Sequence, residues 1–144
     1  MNKENPKLSQ LSDEELIQRF QEGDQYAFDL IVHRYKDALF NFTYRYLGNS
    51  QEAEDVVQET FLRIFRNRFA YRQIAKFSTW IYTIAGNLAK TELRKVILLV
   101  DVQELSYEEV SKIMRVPLGT VKSRVNRARL KLQGMLQELF DAQR

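Results

Sequence analysis

Hydrophobic side chains recur at intervals of three or four residues along almost the whole chain. This interval is the repeat of one face of an α-helix, and no segment shows the period of two that is typical of a half-buried strand. The longest run is a stripe formed by Phe28, Ile31, Tyr35, Leu39, Phe42 and Tyr46. The pattern therefore predicts an all-α protein in which each helix buries one face.

Capping and turn residues divide this pattern into separate helices. Ser12 with Glu15, and Ser106 with Glu109, follow the capping-box pattern, in which a serine and a glutamate three residues later bond each other's backbone. Gly48 is placed to end a helix. The expected helix starts are Ser12, Asp24, Asn49 or Ser50, Ser78, Ser106 and Gly119 or Thr120, and the last helix is expected to end near Phe140.

Two expectations concern which side chains are buried. Trp80 lies in register with Ile84 and Leu88, and we expect it in the core because burial is the commoner use of so large a ring. The last helix has an apolar face that we expect to point inward, formed by Val121, Val125, Ala128, Leu132, Met135, Leu136 and Leu139.

Composition excludes several classes of site. The 144 residues include no cysteine and a single histidine, His33, so disulfides, thiolate metal sites and multi-histidine metal sites are ruled out. His33 lies within a predicted helix and is interpreted as structural. No run approaches the roughly 18 apolar residues of a membrane span, and the N-terminal segment lacks the apolar core of a secretory signal. A cytoplasmic location without membrane insertion is therefore expected.

Charge is unevenly distributed, although the formal net charge is only +3. Residues 1–59 carry six basic and twelve acidic side chains, whereas residues 60–95 carry eight basic and one acidic. Residues 115–131 then carry six basic side chains and no acidic one. Segregated basic segments are typical of proteins that contact a polyanion, most often nucleic acid, and a solvated basic helix face is the alternative.

Residues 105–132 have the parts of a helix-turn-helix: a short capped helix, a turn with Pro117 and Gly119, and a longer basic helix. The start of the second helix in such a unit enters the major groove, where basic and hydroxyl side chains reach bases and phosphates. The candidate DNA contacts are Thr120, Lys122, Ser123, Arg124 and Arg127. An ordinary helical hairpin is the alternative, but the lack of acidic residues in 115–131 favours DNA binding.

A second basic stretch, at residues 68–82, is rich in aromatic residues. It contains Arg68, Phe69, Tyr71, Arg72, Lys76, Phe77, Trp80 and Tyr82. Such a mixture suits the stacking of unpaired bases while basic side chains hold the backbone.

Three segments resemble the signature segments of extracytoplasmic-function sigma factors of RNA polymerase, in the order of that family. They are AEDVVQETFLRIFRN, FSTWIYTIAGNLAKTELRK and LSYEEVSKIMRVPLGTVKSRVNRAR. The resemblance implies two small all-helical domains, a region 2 bundle at residues 1–95 and a region 4 helix-turn-helix at residues 96–144. The family's linker has no counterpart near Lys95 and Val96, and Glu104 stands where the family often has glycine.

The resemblance also implies a role in transcription initiation at specific promoters, with no catalytic residue, metal or cofactor. The clamp of the largest subunits of core RNA polymerase would bind Asp55, Gln58, Glu59, Phe61 and Leu62. The minus-10 element would be recognised and opened by Arg68, Tyr71, Arg72, Lys76, Phe77, Asn87, Lys90 and Arg94. The minus-35 duplex would contact Thr120, Lys122, Ser123, Arg124 and Arg127, and an anti-sigma factor is a further expected partner.

Two other classes of function compete with this interpretation. A free-standing helix-turn-helix regulator would bind an operator without polymerase, but it has no need of the acidic face from Asp55 to Glu59. A helical hydrolase would need paired acids or a histidine, whereas Glu14 and Glu15 lie in a predicted cap and His33 is the sole histidine.

Overall fold

Helices account for most of residues 6–143, which are the residues that the computed structural model describes, with side chains described from Leu8 onward. The α-helices are α1 (Pro6–Ser9), α2 (Asp13–Gln21), α3 (Gln25–Leu47), α4 (Ser50–Arg66), α5 (Phe77–Ile97), α6 (Tyr107–Met114) and α7 (Leu118–Ala142). A 3₁₀ turn (Arg68–Ala70) precedes α5, and a π-helical turn (Leu98–Val102) follows it. No strand occurs in residues 6–143, which confirms the all-α class, and no helix there is long and apolar enough to cross a bilayer.

Side-chain caps confirm most of the predicted helix starts. Both capping boxes are complete, and the hydroxyls of Ser12 and Ser106 each accept a backbone hydrogen bond at 3.1 Å. Asp24 caps α3 and Asn49 caps α4 through their side-chain oxygens. Gly48 ends α3 in the left-handed conformation, with φ of 71°, as expected for a glycine at this position.

The predicted start of α5 at Ser78 is wrong. The N-cap position is Lys76, two residues before Ser78, and the helix begins at Phe77, whose backbone N–H donates to Glu14 Oε2 at 2.7 Å. Glu14 belongs to α2, so the N-terminus of α5 is capped by a carboxylate from a different helix rather than by a neighbour in sequence. A carboxylate at this end also interacts favourably with the helix dipole.

The larger core lies among α2, α3, α4 and the first part of α5. Its fully buried members are Leu16, Ile17, Ala27, Ile31, Leu39, Ile64, Phe77, Ile81 and Ala85. Aromatic rings close its periphery edge to face, as between Phe42 and Tyr82, whose centroids are 5.1 Å apart. Trp80 is partly buried and packs against this core, in agreement with the expectation for that ring.

A smaller core holds α6 and α7 to the end of α5. It is formed by four buried valines, Val96, Val110, Val121 and Val125. Val96 belongs to α5, which passes through Lys95 and Val96 without a break. One continuous helix of 21 residues, about 30 Å long at the usual rise, therefore contributes to both cores.

The end of α7 does not pack as the sequence pattern predicted. Val121 and Val125 are buried and Ala128 is partly buried, but the apolar residues after Ala128 are exposed. The exposed members of the predicted inward face are Leu132, Met135, Leu136 and Leu139. Every described side chain from Arg129 onward is exposed.

Candidate nucleic-acid interface

The outer face of α4 presents acidic and polar side chains to solvent. The opposite face of the helix is buried in the larger core, which fixes the orientation of the outer face. Asp55, Gln58 and Leu62 are exposed, and Glu59 is partly exposed and pairs with Arg63 at 3.1 Å. Four of the five residues that the sequence assigned to polymerase binding therefore lie on one accessible surface.

Phe61, the fifth of those residues, does not lie on this surface. Its side chain is only 9% exposed and packs in the larger core. The helical repeat explains the difference, because Phe61 lies four residues after Val57 and three before Ile64, which are both buried. Phe61 packs in the larger core beneath the outer face of α4 and is not available to a partner.

The basic and aromatic loop before α5 is anchored to the rest of the protein by its own side chains. Arg68 lies near three aromatic rings, with its guanidinium carbon 4.8 to 5.2 Å from their centroids. Gln21 Nε2 donates to the carbonyl oxygens of Arg68 at 2.6 Å and Tyr71 at 3.3 Å. The Arg68 side chain thus takes part in holding the loop in place.

The structure corrects the assignment of two aromatic residues to minus-10 contacts. Phe77 is fully buried and Tyr71 is buried, with their ring centroids 5.6 Å apart. The Tyr71 hydroxyl donates to the carbonyl of Ala75 at 2.7 Å, and burial raises the pKa of Tyr71. Both rings complete the core beneath the loop, so neither is accessible for stacking on a base.

A row of polar and basic side chains, which we call the α5 stripe, runs along the exposed side of α5. Its members recur every three or four residues and are Thr79, Thr83, Asn87, Lys90 and Arg94. Arg72 and Lys76, in the loop before the helix, are exposed as well. Thr79 and Thr83 were not singled out from the sequence, although their spacing of four residues from each other and from Asn87 is a usable signal.

α6 and α7 form a helix-turn-helix around the smaller core, as predicted. Ser111 Oγ donates to the carbonyl of Val116 at 2.5 Å across the turn, and Arg115 ends α6 with a φ of 60°. At the start of α7, Lys122 is exposed and Ser123 is partly exposed. These two candidate DNA contacts are accessible.

Thr120 and Arg124, also candidate DNA contacts, are buried in this structure. The Arg124 side chain has no exposed surface and is enclosed between α4 and α5, where it pairs with Glu52 and lies 3.6 Å from Glu92. Burial lowers the pKa of Arg124 to about 10, which leaves it protonated at neutral pH. None of its three guanidinium nitrogens forms a hydrogen bond of ordinary geometry with a described residue. Arg124 is bound by carboxylates here and does not face solvent.

Two further basic side chains of α7 face the connection between α3 and α4. The Arg127 guanidinium lies against Gly48, so closely that a Cβ at that position would overlap it. Lys131 Nζ lies 3.7 Å from the centroid of the Tyr46 ring, a cation–π contact. These partners of α7 lie far earlier in the chain, and no local sequence pattern indicated them.

The outer face of α4, the α5 stripe and the start of α7 carry charged, hydrogen-bonding and apolar side chains that can bind other macromolecules. Among residues 6–143, no group of three or more histidine, cysteine, aspartate or glutamate side chains is placed to hold a metal ion. His33 is exposed on α3. An acidic face on α4 and basic surfaces on α5 and α7 are thus the features that distinguish the molecule.

Two family models match the chain. The model described as Sigma-70 region 2 matches residues 31–96, and the model described as Sigma-70, region 4 matches residues 90–132. The ECF RNA polymerase sigma factor SigW of Bacillus subtilis is 31% identical over 179 aligned positions, which cover 85% of this chain and 96% of that protein. The chain belongs to the extracytoplasmic-function sigma factors. As a member of that family it is a transcription initiation factor.

This sigma factor is shorter than its relative at internal positions. The alignment with SigW spans more positions than this chain has residues, so part of SigW has no counterpart here. The two family-model matches overlap at residues 90–96, inside α5. Both findings agree with the absence of the family's linker near Lys95 and Val96.

Two solved structures resemble this sigma factor. An engineered region 2 of sigmaE, solved by NMR in complex with GTAAAA, is 40% identical with a TM-score of 0.56 and covers 64% of this chain and 96% of its own. A structure of the RsbN–BldN complex is 27% identical with a TM-score of 0.50 and covers 83% of this chain and 98% of its own.

Proposed function

We propose that this sigma factor binds core RNA polymerase through the outer face of α4 and directs it to promoters with two separate basic surfaces. The α5 stripe carries the proposal, because it lies in the segment that matches sigma region 2, and the resembling region 2 of sigmaE is bound to GTAAAA. In this role the sigma factor makes and breaks no covalent bond. It acts in the cytoplasm, where RNA polymerase and promoter DNA are present.

The surface for the polymerase clamp is formed by Asp55, Gln58, Glu59 and Leu62. Leu62 is 48% exposed, so an apolar side chain stands within an otherwise acidic and polar face. This combination supports a protein interface, because charges steer association and select the partner while a desolvated apolar side chain contributes binding free energy. Carboxylates repel DNA phosphates, which favours a protein over DNA as the partner of this face.

The surface for the minus-10 element is the α5 stripe together with Arg72 and Lys76. The four basic side chains in this set are suited to phosphates, which position the nucleic acid without reading its sequence. Asn87 and the two threonines offer donors and acceptors to base edges. The mixture supports recognition of an opened strand, in which base edges are accessible.

The surface for the minus-35 duplex is the first half of α7. This helix lies in a proposed region 4 domain at residues 96–144, which follows a proposed region 2 domain at residues 1–95. Lys122 and Ser123 are accessible at the start of this helix. Recognition helices of helix-turn-helix units contact bases with their N-terminal residues, which supports the assignment. Thr120, Arg124 and Arg127 are assigned to the same surface by their positions in α7, although Thr120 and Arg124 are buried and Arg127 is partly buried in this structure.

An anti-sigma factor is the proposed protein regulator. The RsbN–BldN complex shows that a chain resembling this one binds a second protein. A partner that covers the outer face of α4 or the first half of α7 would block the contacts proposed above. Affinity capture with the full chain as bait would identify this partner.

Run-off transcription with core polymerase and promoter fragments of the source genome tests this function. We expect specific starts in the presence of the sigma factor and, for Asp55→Arg with Glu59→Arg, a loss of both starts and core binding. Glu22→Arg with Asp29→Arg is the matched control, since it reverses two exposed acids that lie outside α4. This control should start transcription like the parent.

Other results would contradict the proposal in distinguishable ways. Sequence-specific DNA binding by a protein that never binds core polymerase would favour the free-standing regulator. Equal losses in the double reversal and in its matched control would show that net charge, rather than the outer face of α4, determines binding.

A further inference from the structure

We propose that the groove between the second half of α5 and the middle of α7, which we call the α5–α7 groove, binds a medium-chain fatty acid. Its volume of about 440 Å³ lies within the range of roughly 300–1,000 Å³ that is usual for sites of small ligands. The binding site itself goes beyond the proposed function, whereas its effect on promoter binding rests on that function.

The wall of the groove is mainly apolar, and much of it is exposed to water. Six of the nine lining residues have apolar side chains. Three of these, Leu98, Leu132 and Met135, are 55%, 54% and 62% exposed. A contiguous exposed apolar surface commonly marks a binding site. An alkyl chain lying on these side chains would remove them from water, which is favourable.

The other three lining residues are all cations: Lys90, Arg94 and Lys131. No acidic residue lines the groove, and none of the three cations forms an ion pair within the described part of the chain. Lys131 contacts the ring of Tyr46, which leaves its positive charge uncompensated. The lining therefore fits a ligand with an apolar body and an anionic end. A carboxylate matches the planar fork of an arginine with its two oxygens.

The length of the groove favours a short single chain. The lining residues lie within residues 90–98 and 128–135, and each range covers about 10–12 Å at the usual helical rise. An extended chain of ten carbons is about as long, given C–C bonds of about 1.5 Å. An amphipathic helix of three or more turns would extend past the groove, and a two-chain lipid would have twice the alkyl chain to cover. A fatty acid of about ten carbons fits best.

An unusual backbone segment adjoins the groove. The π-helical turn at Leu98–Val102 begins with Leu98, which is itself a lining residue. π-helical turns are rare and are frequent at functional sites. The position of this turn supports a binding role for this part of the molecule.

Two of the three cations, Lys90 and Arg94, also belong to the α5 stripe. In the proposed function they contact phosphates of the minus-10 element. A carboxylate bound to them would occupy the same donors, so the fatty acid and the opened strand would compete. We therefore expect the bound fatty acid to weaken binding of the minus-10 element.

Methyl NMR tests the site directly, because the chain has only three methionines. Met135 lines the groove and Met114 does not. Protein labelled with ¹³C at the methionine methyl groups is titrated with sodium decanoate below its micelle concentration. We expect the Met135 signal to shift until it saturates, while the Met114 signal stays in place. Octanoate, which is two methylenes shorter, should bind about tenfold more weakly.

Removing cations tests the anionic end of the ligand. Arg94→Gln with Lys131→Gln should weaken decanoate binding about tenfold, because charge-assisted hydrogen bonds are lost. Binding of neutral 1-decanol should be retained, which shows that the groove of this variant is intact. Lys36→Gln with Lys112→Gln is the matched control, since it removes two exposed cations outside the groove. This control should bind decanoate like the parent.

A competition assay tests the effect on promoter binding. Binding of a fluorescent single-stranded oligonucleotide of mixed sequence is measured by anisotropy, with and without saturating decanoate. We expect several-fold weaker binding in its presence, and no such change in the presence of 1-decanol. A Met135 shift without this competition would overturn the effect on promoter binding and support the site alone.

Three results would overturn the site. They are a Met135 signal that decanoate does not shift, equal decanoate binding by the cation variant and its matched control, and a Met135 signal that moves with protein concentration alone. The last result would show that a second copy of the chain covers the groove. The transcription assay is read separately. Specific starts by the parent, combined with an unmoved Met135 signal, would leave the proposed function standing and remove only the ligand site.

Discussion

At the scale of single residues, two side chains occupy backbone conformations that favour glycine. Glu104 has a φ of 56° and Arg115 a φ of 60°. Arg115 ends α6, where a left-handed residue commonly ends a helix. Glu104 lies in the turn before α6, and the resemblance to sigma factors had already marked it as a position where glycine is usual. The positive φ gives the physical reason for that preference.

Glu104→Gly is therefore expected to stabilise the protein. A left-handed residue other than glycine costs roughly 1–2 kcal/mol, whereas glycine loses about 0.5–1 kcal/mol through chain entropy, so a net gain near 0.5–1 kcal/mol is expected. Urea denaturation measures the free energy of unfolding. Gln103→Gly is the matched control, because Gln103 has an ordinary φ of −84° and should lose stability. Changes of the same sign in both variants would contradict the argument.

At the scale of elements, the starts of helices show what a local pattern can and cannot predict. The caps by Ser12, Asp24, Asn49 and Ser106 were predictable because donor and acceptor lie within three residues of each other. The cap of α5 was not, because Glu14 precedes that helix by 63 residues. The exposed end of α7 escaped prediction for a related reason: helical periodicity does not reveal whether another element covers the face.

The remote cap of α5 predicts unequal effects of two substitutions. Glu14→Ala should lower the free energy of unfolding by about 1 kcal/mol, the usual cost of losing an N-terminal cap, because the N–H of Phe77 loses its partner. Ser78→Ala should cost much less, since Ser78 lies inside the helix and makes no cap bond. Thermal or urea denaturation followed by circular dichroism compares them. A larger loss of unfolding free energy for Ser78→Ala would contradict this argument and support Ser78 as the cap of α5.

At the scale of the whole molecule, the sequence predicted both helical units and their order, but not how they are placed. The surfaces of α4 and α7 were each recognisable from local charge and spacing. Their contact was not, because Arg124 is 72 residues from Glu52, and the pairing depends on the continuous helix α5 bringing the two units together. That same continuity explains why Val96, in α5, belongs to the smaller core while Ile81, in the same helix, belongs to the larger one.

This shared helix predicts that the two cores unfold together. Val121→Ala removes about two methyl-sized groups from the smaller core, worth about 1.5–2 kcal/mol at roughly 0.8 kcal/mol per buried group. The only tryptophan, Trp80, packs against the larger core, so its fluorescence reports on the distant unit. We expect Val121→Ala to lower the urea midpoint equally by Trp80 fluorescence and by circular dichroism.

Leu139→Ala, at a position that is 61% exposed, serves as the control and should leave both midpoints nearly unchanged. The contrary outcome is a circular dichroism transition at lower urea concentration with an unchanged Trp80 midpoint. It would show that region 4 unfolds by itself and that α5 connects the two cores without making their unfolding cooperative.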